Sequence, residues 1–500
     1  MTISSIGGKS AATIQTLVNL RGTLDDLQRQ LSTGKKSTTY AGLGLDRGVT
    51  VSLRAQLSAM TSFDATADNV MTRINVAQAS LSRISDIGAS VKTSLMQGSY
   101  GTGAIAANTA QTAAKLSIDE ALSLLNTRSG ERYLFAGRAT DAPAVESYDH
   151  IMEGDGARAG LKQIISERNQ ADLGPDGLGR LDIGRVADTV SVAEDAVSPF
   201  GFKLGSVAST LTNAVVTGPA GSPPGLSVDM SGGNPNDGDS ITLRFTLPDG
   251  TSESITLTAT TSNTPAAGQF KIGATTTDTA TNLETALNTS IGKLAATSLT
   301  AASATKASQE FFSADASTPP PRVNGPPFDT ATAMTTGTSA DTVIWYTGEA
   351  GSDSARTTAN ARIDPSLSVS YGVRANEQGI RNIIQNVATL AAVNISASDP
   401  NAADLSLALN QRLTASLNGT AGAQTISNIQ TELAGAQVTV NAAKQRHAQQ
   451  SATLNDYLAQ VEGVSNEEVG AKILTLQTRL QASMQVTAMM YQTSLVNFMN

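Results

Sequence analysis

The stretch LVNLRGTLDDLQRQLSTGKK, residues 17–36, governs how the rest of this chain is read. Leu17, Leu20, Leu24, Leu27 and Leu31 recur at alternating three- and four-residue steps, a heptad seam on one helix face. A comparable stripe lies near the other end: Ile473, Leu476, Leu480, Met484, Tyr491, Leu495 and Phe498. Ile426, Ile429, Leu433, Ala436, Val440 and Ala443 carry the same steps, and Leu454, Tyr457, Val461 and Val464 continue them. The middle of the chain has no such seam. Chain ends usually fray unless they are tied down. Each end here offers an apolar stripe with little neighbouring sequence to cover it, so the two ends are predicted to pair. The stripes are wider than a two-helix seam needs, which predicts packing against further copies of the chain.

Working outward, helices are predicted at 14–31, 49–96 and 104–126, each amphipathic and weakly charged outside. From Gly137 to Pro199 the chain is punctuated by Gly, Pro and Asp, with one helical run near 161–169. PAGSPPG and SGGNPNDGD, between Val215 and Gly238, are expected to form a linker. ITLRFTLPDGTSESITLTAT then alternates apolar and polar residues around Pro248-Asp249-Gly250, a hairpin pattern. A helix follows at 278–294, and STPPPRVNGPPF (317–328) is expected to hold no regular structure. VIWYTG and LSVSYGVRA supply further strands. Helix returns at 376–393 and dominates from Ala402 onward. The segment from about Ser222 to Gly325 is predicted to be separable.

Composition narrows the chemistry. The 500 residues allow several domains. A formal charge of −9 argues against a broad nucleic-acid footprint. There are no cysteines and two histidines, His150 and His447, which excludes disulfides and thiol catalysis and leaves little for a histidine metal site. MTISSIGGKS lacks the basic and apolar regions of a cleaved signal, and no window approaches a membrane span, so no membrane insertion is expected.

Two phosphate-loop lookalikes, GGKS (7–10) and STGKKS (32–37), lack the glycine five residues earlier; Ile3 and Arg29 stand there. The acidic stretches at 153–160 and 234–239 lack the spacing of a calcium loop. Asn288, Asn394 and Asn418 match a three-residue glycosylation pattern that carries little weight alone. His447 continues the 436–440–443 seam and is expected to be a tolerated polar heptad position. No catalytic residue, metal site or cofactor is predicted, so the chain is expected not to be an enzyme.

The opening stretch resembles the first helix of the flagellin superfamily, which ends in a Leu-Ser-Ser/Thr-Gly-Lys/Arg signature. NVAQASLSRISDIGASVKTSL (75–95), RYLFAGRATDAPAV (132–145) and the C-terminal ILTLQTRLQASMQVTAMMYQTSLVNFM also resemble segments of that family in order and position. The turn TTYAGLGLDRG and the segment ASVKTS depart from the family pattern. The resemblance implies an α+β, multidomain protein: terminal α-helical coiled-coil and rod domains from both chain ends, with an inserted β-rich central domain. Its expected divisions are 1–33 with 468–500 as an inner coiled-coil polymerisation domain, 34–200 with 365–467 as a rod, and 201–364 as a variable outer domain. It implies a secreted, extracellular flagellar filament subunit, a homopolymer exported by the type III route. The partners so implied are an export chaperone on the C-terminal helices, a filament cap and hook-associated proteins. The alternatives are a hook–filament junction protein, which shares RYLFAGRATD, and more distantly a helical signalling or adhesin protein.

Overall fold

The computed structural model describes residues 3–98, 104–396 and 398–498. α1 (Ile3–Thr33), α2 (Arg47–Gly98) and α3 (Ala104–Leu125) come first, with a 3-10 turn at Tyr40–Asp46 between α1 and α2. A short hairpin, β1 (Arg128–Ser129) and β2 (Arg132–Tyr133), leads to α4 (Tyr148–Glu153) and α5 (Leu161–Leu173). Then come β3 (Leu181–Val186), β4 (Thr189–Glu194), β5 (Lys203–Ser209), β6 (Val215–Ala220) and β7 (Gly225–Asp229). β8 (Ser240–Thr246), β9 (Ser252–Thr260) and β10 (Gln269–Lys271) precede α6 (Thr276–Leu294) and α7 (Thr300–Ser313). β11 (Pro321–Val323), β12 (Met334–Thr336), β13 (Asn360–Asp364) and β14 (Leu367–Ser370) follow. α8 (Gln378–Ala392), α9 (Ala402–Leu417), α10 (Ile426–Glu462) and α11 (Asn466–Phe498) complete the order.

The chain divides into two compact units, one of residues 1–69, 361–369 and 438–500, the other of 70–360 and 370–437. In the first, α1 packs along α11. The early part of α2 lies beside α10, where His447 Nδ1 is 2.7 Å from Asp64 and the Ser451 hydroxyl is 3.3 Å from the Met60 sulfur.

The second unit holds two four-stranded sheets and a helical layer. One sheet runs β3-β4-β7-β6, antiparallel throughout; the other runs β10-β9-β8-β5, with β10 parallel to β9. The predicted hairpin forms: Ile241 pairs with Leu257 and Leu243 with Ile255. These apolar positions, with Phe245, pack against Leu283, Leu287 and Ile291 of α6. α6 begins where its sequence says it should, because Thr275 and Asp278 form a reciprocal capping box. In the helical layer α7 packs on α5, α8 and α9, and α3 packs on α8.

Three expectations are corrected. The supposed linker at 215–238 contains β6 and β7, paired from Val215–Asp229 to Ala220–Gly225. β6 is an edge strand, bonded on one side only, so Pro219 costs no ladder donor that a neighbour requires. The Pro-rich 317–328 also carries regular structure: β11 pairs with β12, its Pro321 standing at the first strand position. VIWYTG forms no strand of its own. Val343, Trp345 and Tyr346 are buried, Tyr346 bridges Val145, and the Trp345 indole donates to the Phe312 carbonyl at 2.9 Å.

α7 also bears on the predicted separability of 222–325, since it lies inside that segment while packing on three helices outside it. Arg168 of α5 reaches Glu310 of α7 at 3.3 Å, and Phe311 and Phe312 are fully buried. Excising 222–325 should therefore strip the apolar cover from α5, α8 and α9. The expected outcome is a chain that loses its cooperative thermal transition; a soluble deletion variant that melts sharply contradicts this packing.

Candidate assembly interface

The segment LSTGKK ends α1 and fastens it. Gly34 stands at φ +67°, a left-handed conformation that glycine adopts without strain and that turns the chain out of the helix. Its carbonyl accepts from the Val464 N–H at 3.1 Å, and the Lys36 N–H donates to the Glu462 carbonyl at 2.7 Å. These two bonds clamp the exit of α1 to the turn between α10 and α11. Gly463 occupies the tightest point of that turn: a Cβ there would lie 2.3 Å from the Ala459 carbonyl oxygen.

The Glu462 side chain sits in the middle of this joint, only 6% exposed. The Arg54 guanidinium of α2 grips it with two hydrogen bonds of 3.0 and 2.9 Å, and Lys35 Nζ approaches to 3.5 Å. Tyr40 stacks beneath Arg54, its ring centroid 5.6 Å away. Burial alone would raise the Glu462 carboxyl; the hydrogen bonds and charges of Arg54 and Lys35 outweigh it and hold the group below the usual carboxylate range. The segment TTYAGLGLDRG thus becomes a 3-10 turn that buries Leu43 beneath the joint. Neither Glu462 nor Arg54 stood out in the sequence. The one signal was a glycine directly after a long helical run.

Beyond the joint, Leu17, Leu20, Leu24, Leu27 and Ile473 are half-buried, and Leu476 and Leu480 are buried. Leu31 and Met484 are exposed, at 42% and 55%. The side chains of Tyr491, Leu495 and Phe498 lie outside the described residues. Further apolar surface is open on both helices: Ile14 and Val18 on α1, and Leu474 and Val486 on α11. After Arg479, α11 carries no charged residue.

His447, expected to be a tolerated polar seam position, is buried to 1% exposure and held by specific partners. Its Nδ1 meets Asp64 at 2.7 Å, and Nε2 faces Asp364 at 3.5 Å, which also pairs with Arg446 at 3.4 Å. Among the described residues no cluster of His, Cys, Asp and Glu is arranged to hold a metal, and no helix is long and apolar enough to cross a membrane.

A family model matches residues 366–494, and it is that of centromere protein H. It spans β14 through most of α11 and leaves residues 1–365 unmatched. No curated protein matches the chain. The match overturns the flagellin-superfamily resemblance and what it implied: a motility filament subunit or junction protein, a homopolymer, and an extracellular location. The export chaperone, filament cap and hook-associated proteins fall with it. The resemblance rested on the order and position of four short stretches, three of them stretches of amphipathic helix. A stripe specifies that another helix must cover it, and says nothing of which assembly supplies that helix.

The joint yields a pH-dependent prediction. A carboxylate held below its unfolded pKa contributes stability above that value and loses it as pH falls through the folded one. Glu462→Gln should cost about 1–2 kcal/mol at pH 7, the low figure reflecting the partial solvation of Arg54. Compared by thermal unfolding, wild type and variant should converge as pH drops below about 4. A difference that stays constant with pH would show that the charge of Glu462 is not what matters.

Proposed function

We propose that this chain is a non-catalytic assembly subunit whose terminal helices, α1 and α11, receive a helix from a partner protein. The observation that supports this best is the apolar surface left open on the pair by Ile14, Val18, Leu474 and Val486. Covering the exposed half of such a side chain contributes roughly 1 kcal/mol. Association costs about 4–15 kcal/mol in lost freedom. The stripe therefore sustains docking only by a helix long enough to run along much of it. Met484, exposed on α11, suits such a surface, because a flexible thioether side chain adapts to irregular partners. The uncharged stretch after Arg479 favours an apolar partner face over a charged one.

The match to centromere protein H takes in α10 and α11 as far as residue 494, and so includes most of the terminal helix that carries the exposed stripe. The centromere in that family's name is carried to this chain by residues 366–494 alone. A fluorescently tagged chain concentrated at centromeric foci supports that narrower form, and a diffuse signal discards it while leaving helix docking untouched.

Docking itself is tested with a synthetic amphipathic peptide carrying leucine at a and d positions of four heptads. The intact chain should bind it, and Val18→Asp combined with Val486→Asp should weaken binding by about tenfold or more, a difference of ~1.4 kcal/mol. Both positions are exposed, so the variant's melting temperature should stay unchanged. Undetectable binding by the intact chain, or equal binding by the variant, overturns the proposal.

A further inference from the structure

The unit of residues 70–360 and 370–437 contains an open cleft of about 800 Å³. Its walls are the first turns of α8, the end of α9, the loop leading into α10 and one face of α7. Most small-molecule sites of this size are lined mainly by apolar and aromatic side chains. This one has no aromatic residue in its lining and is rich in amides and hydroxyls.

Two arginines line it, and they differ. Arg412 is spent: its guanidinium bonds Asp249 at 3.0 Å and Glu253 at 3.2 Å. Arg381 is half-buried in the first turns of α8, and among the described residues no acceptor holds its side chain. Burial lowers its pKa, and no neighbouring carboxylate opposes that shift. An arginine retains its charge even so, which leaves a partly desolvated cation facing the cleft without a counter-ion.

The wall beside Arg381 is rigid. The Asn382 amide donates to the Ser416 carbonyl at 3.0 Å, and the Ser416 hydroxyl donates to Asn382 Oδ1 at 3.1 Å. Asn386 bonds both residues from behind, at 3.0 and 2.9 Å. Facing the same space, the side-chain amides of Gln309 and Gln385 make no hydrogen bond among the described residues. An unpaired planar cation beside a hydrogen-bonded wall, with free amide groups around it, is suited to an anion that also carries hydroxyls.

We propose that this cleft binds a small hydroxylated oxyanion, a carboxylate or a phosphate monoester, with Arg381 gripping the anionic group and Gln309 and Gln385 taking hydroxyls. The inference stands apart from helix docking and survives its failure.

Titration calorimetry on the full chain tests it with three probes: glucuronate, glucose 6-phosphate and glucose. At least one anion should bind tenfold or more tighter than glucose, and which one binds separates a carboxylate ligand from a phosphate ester. Arg381→Gln should lose at least tenfold in that affinity, with Arg381→Lys falling between. Because the charge is unpaired, Arg381→Gln should melt no lower than wild type. Absence of binding by both anions, glucose binding equally well, unchanged affinity in Arg381→Gln, or unfolding of that variant would each overturn the proposal.

Discussion

The Glu462 carboxylate, caught between Arg54 and Lys35, is the interaction on which the unit formed by the chain ends depends. A long helix gains most of its stability from burying one face, and α1 is only partly buried along α11. What fixes the register of that pair is its inner end. There, two backbone hydrogen bonds and one charged cluster join the exit of α1, the start of α2 and the end of α10. Without a bound carboxylate, Arg54 and Lys35 would repel across a turn that has little apolar surface of its own. The cluster is modest in energy because Arg54 and Lys35 remain partly solvated. Its effect is geometric: it sets the helices side by side, so that the half-buried leucines of α1 share one boundary.

Much of the secondary structure was legible in the sequence. The heptad steps of Ile426 to Ala443 mark residues that are buried, and the alternation of Ile241 to Leu247 marks a real strand face. The Pro-rich segments misled, because proline excludes only a central strand, and Pro219 and Pro321 stand at an edge and at a strand start. The joint was illegible for a different reason. Glu462, Arg54 and Lys35 are far apart in sequence, and nothing periodic links them. The Arg381 cleft was equally hidden, since it is assembled from helix ends and a loop.

Periodicity also explains why the family resemblance failed. Leu17 to Leu31 and Ile473 to Met484 encode the need for a partner helix. They encode neither its identity nor its stoichiometry. Beside those stripes, Val18 and Val486 are exposed on the same two helices. That open surface, and not the identity of the family, is the firmest ground for a role in assembly.

Hydrogen exchange at two backbone amides tests the central claim most directly. The Lys36 and Val464 N–H groups lie outside regular helix and owe their protection to the Glu462 and Gly34 carbonyls alone. The account predicts that both exchange slowly at neutral pH and that both lose protection together in Glu462→Gln. Exchange at the rate of an unstructured chain in the unaltered protein would contradict it.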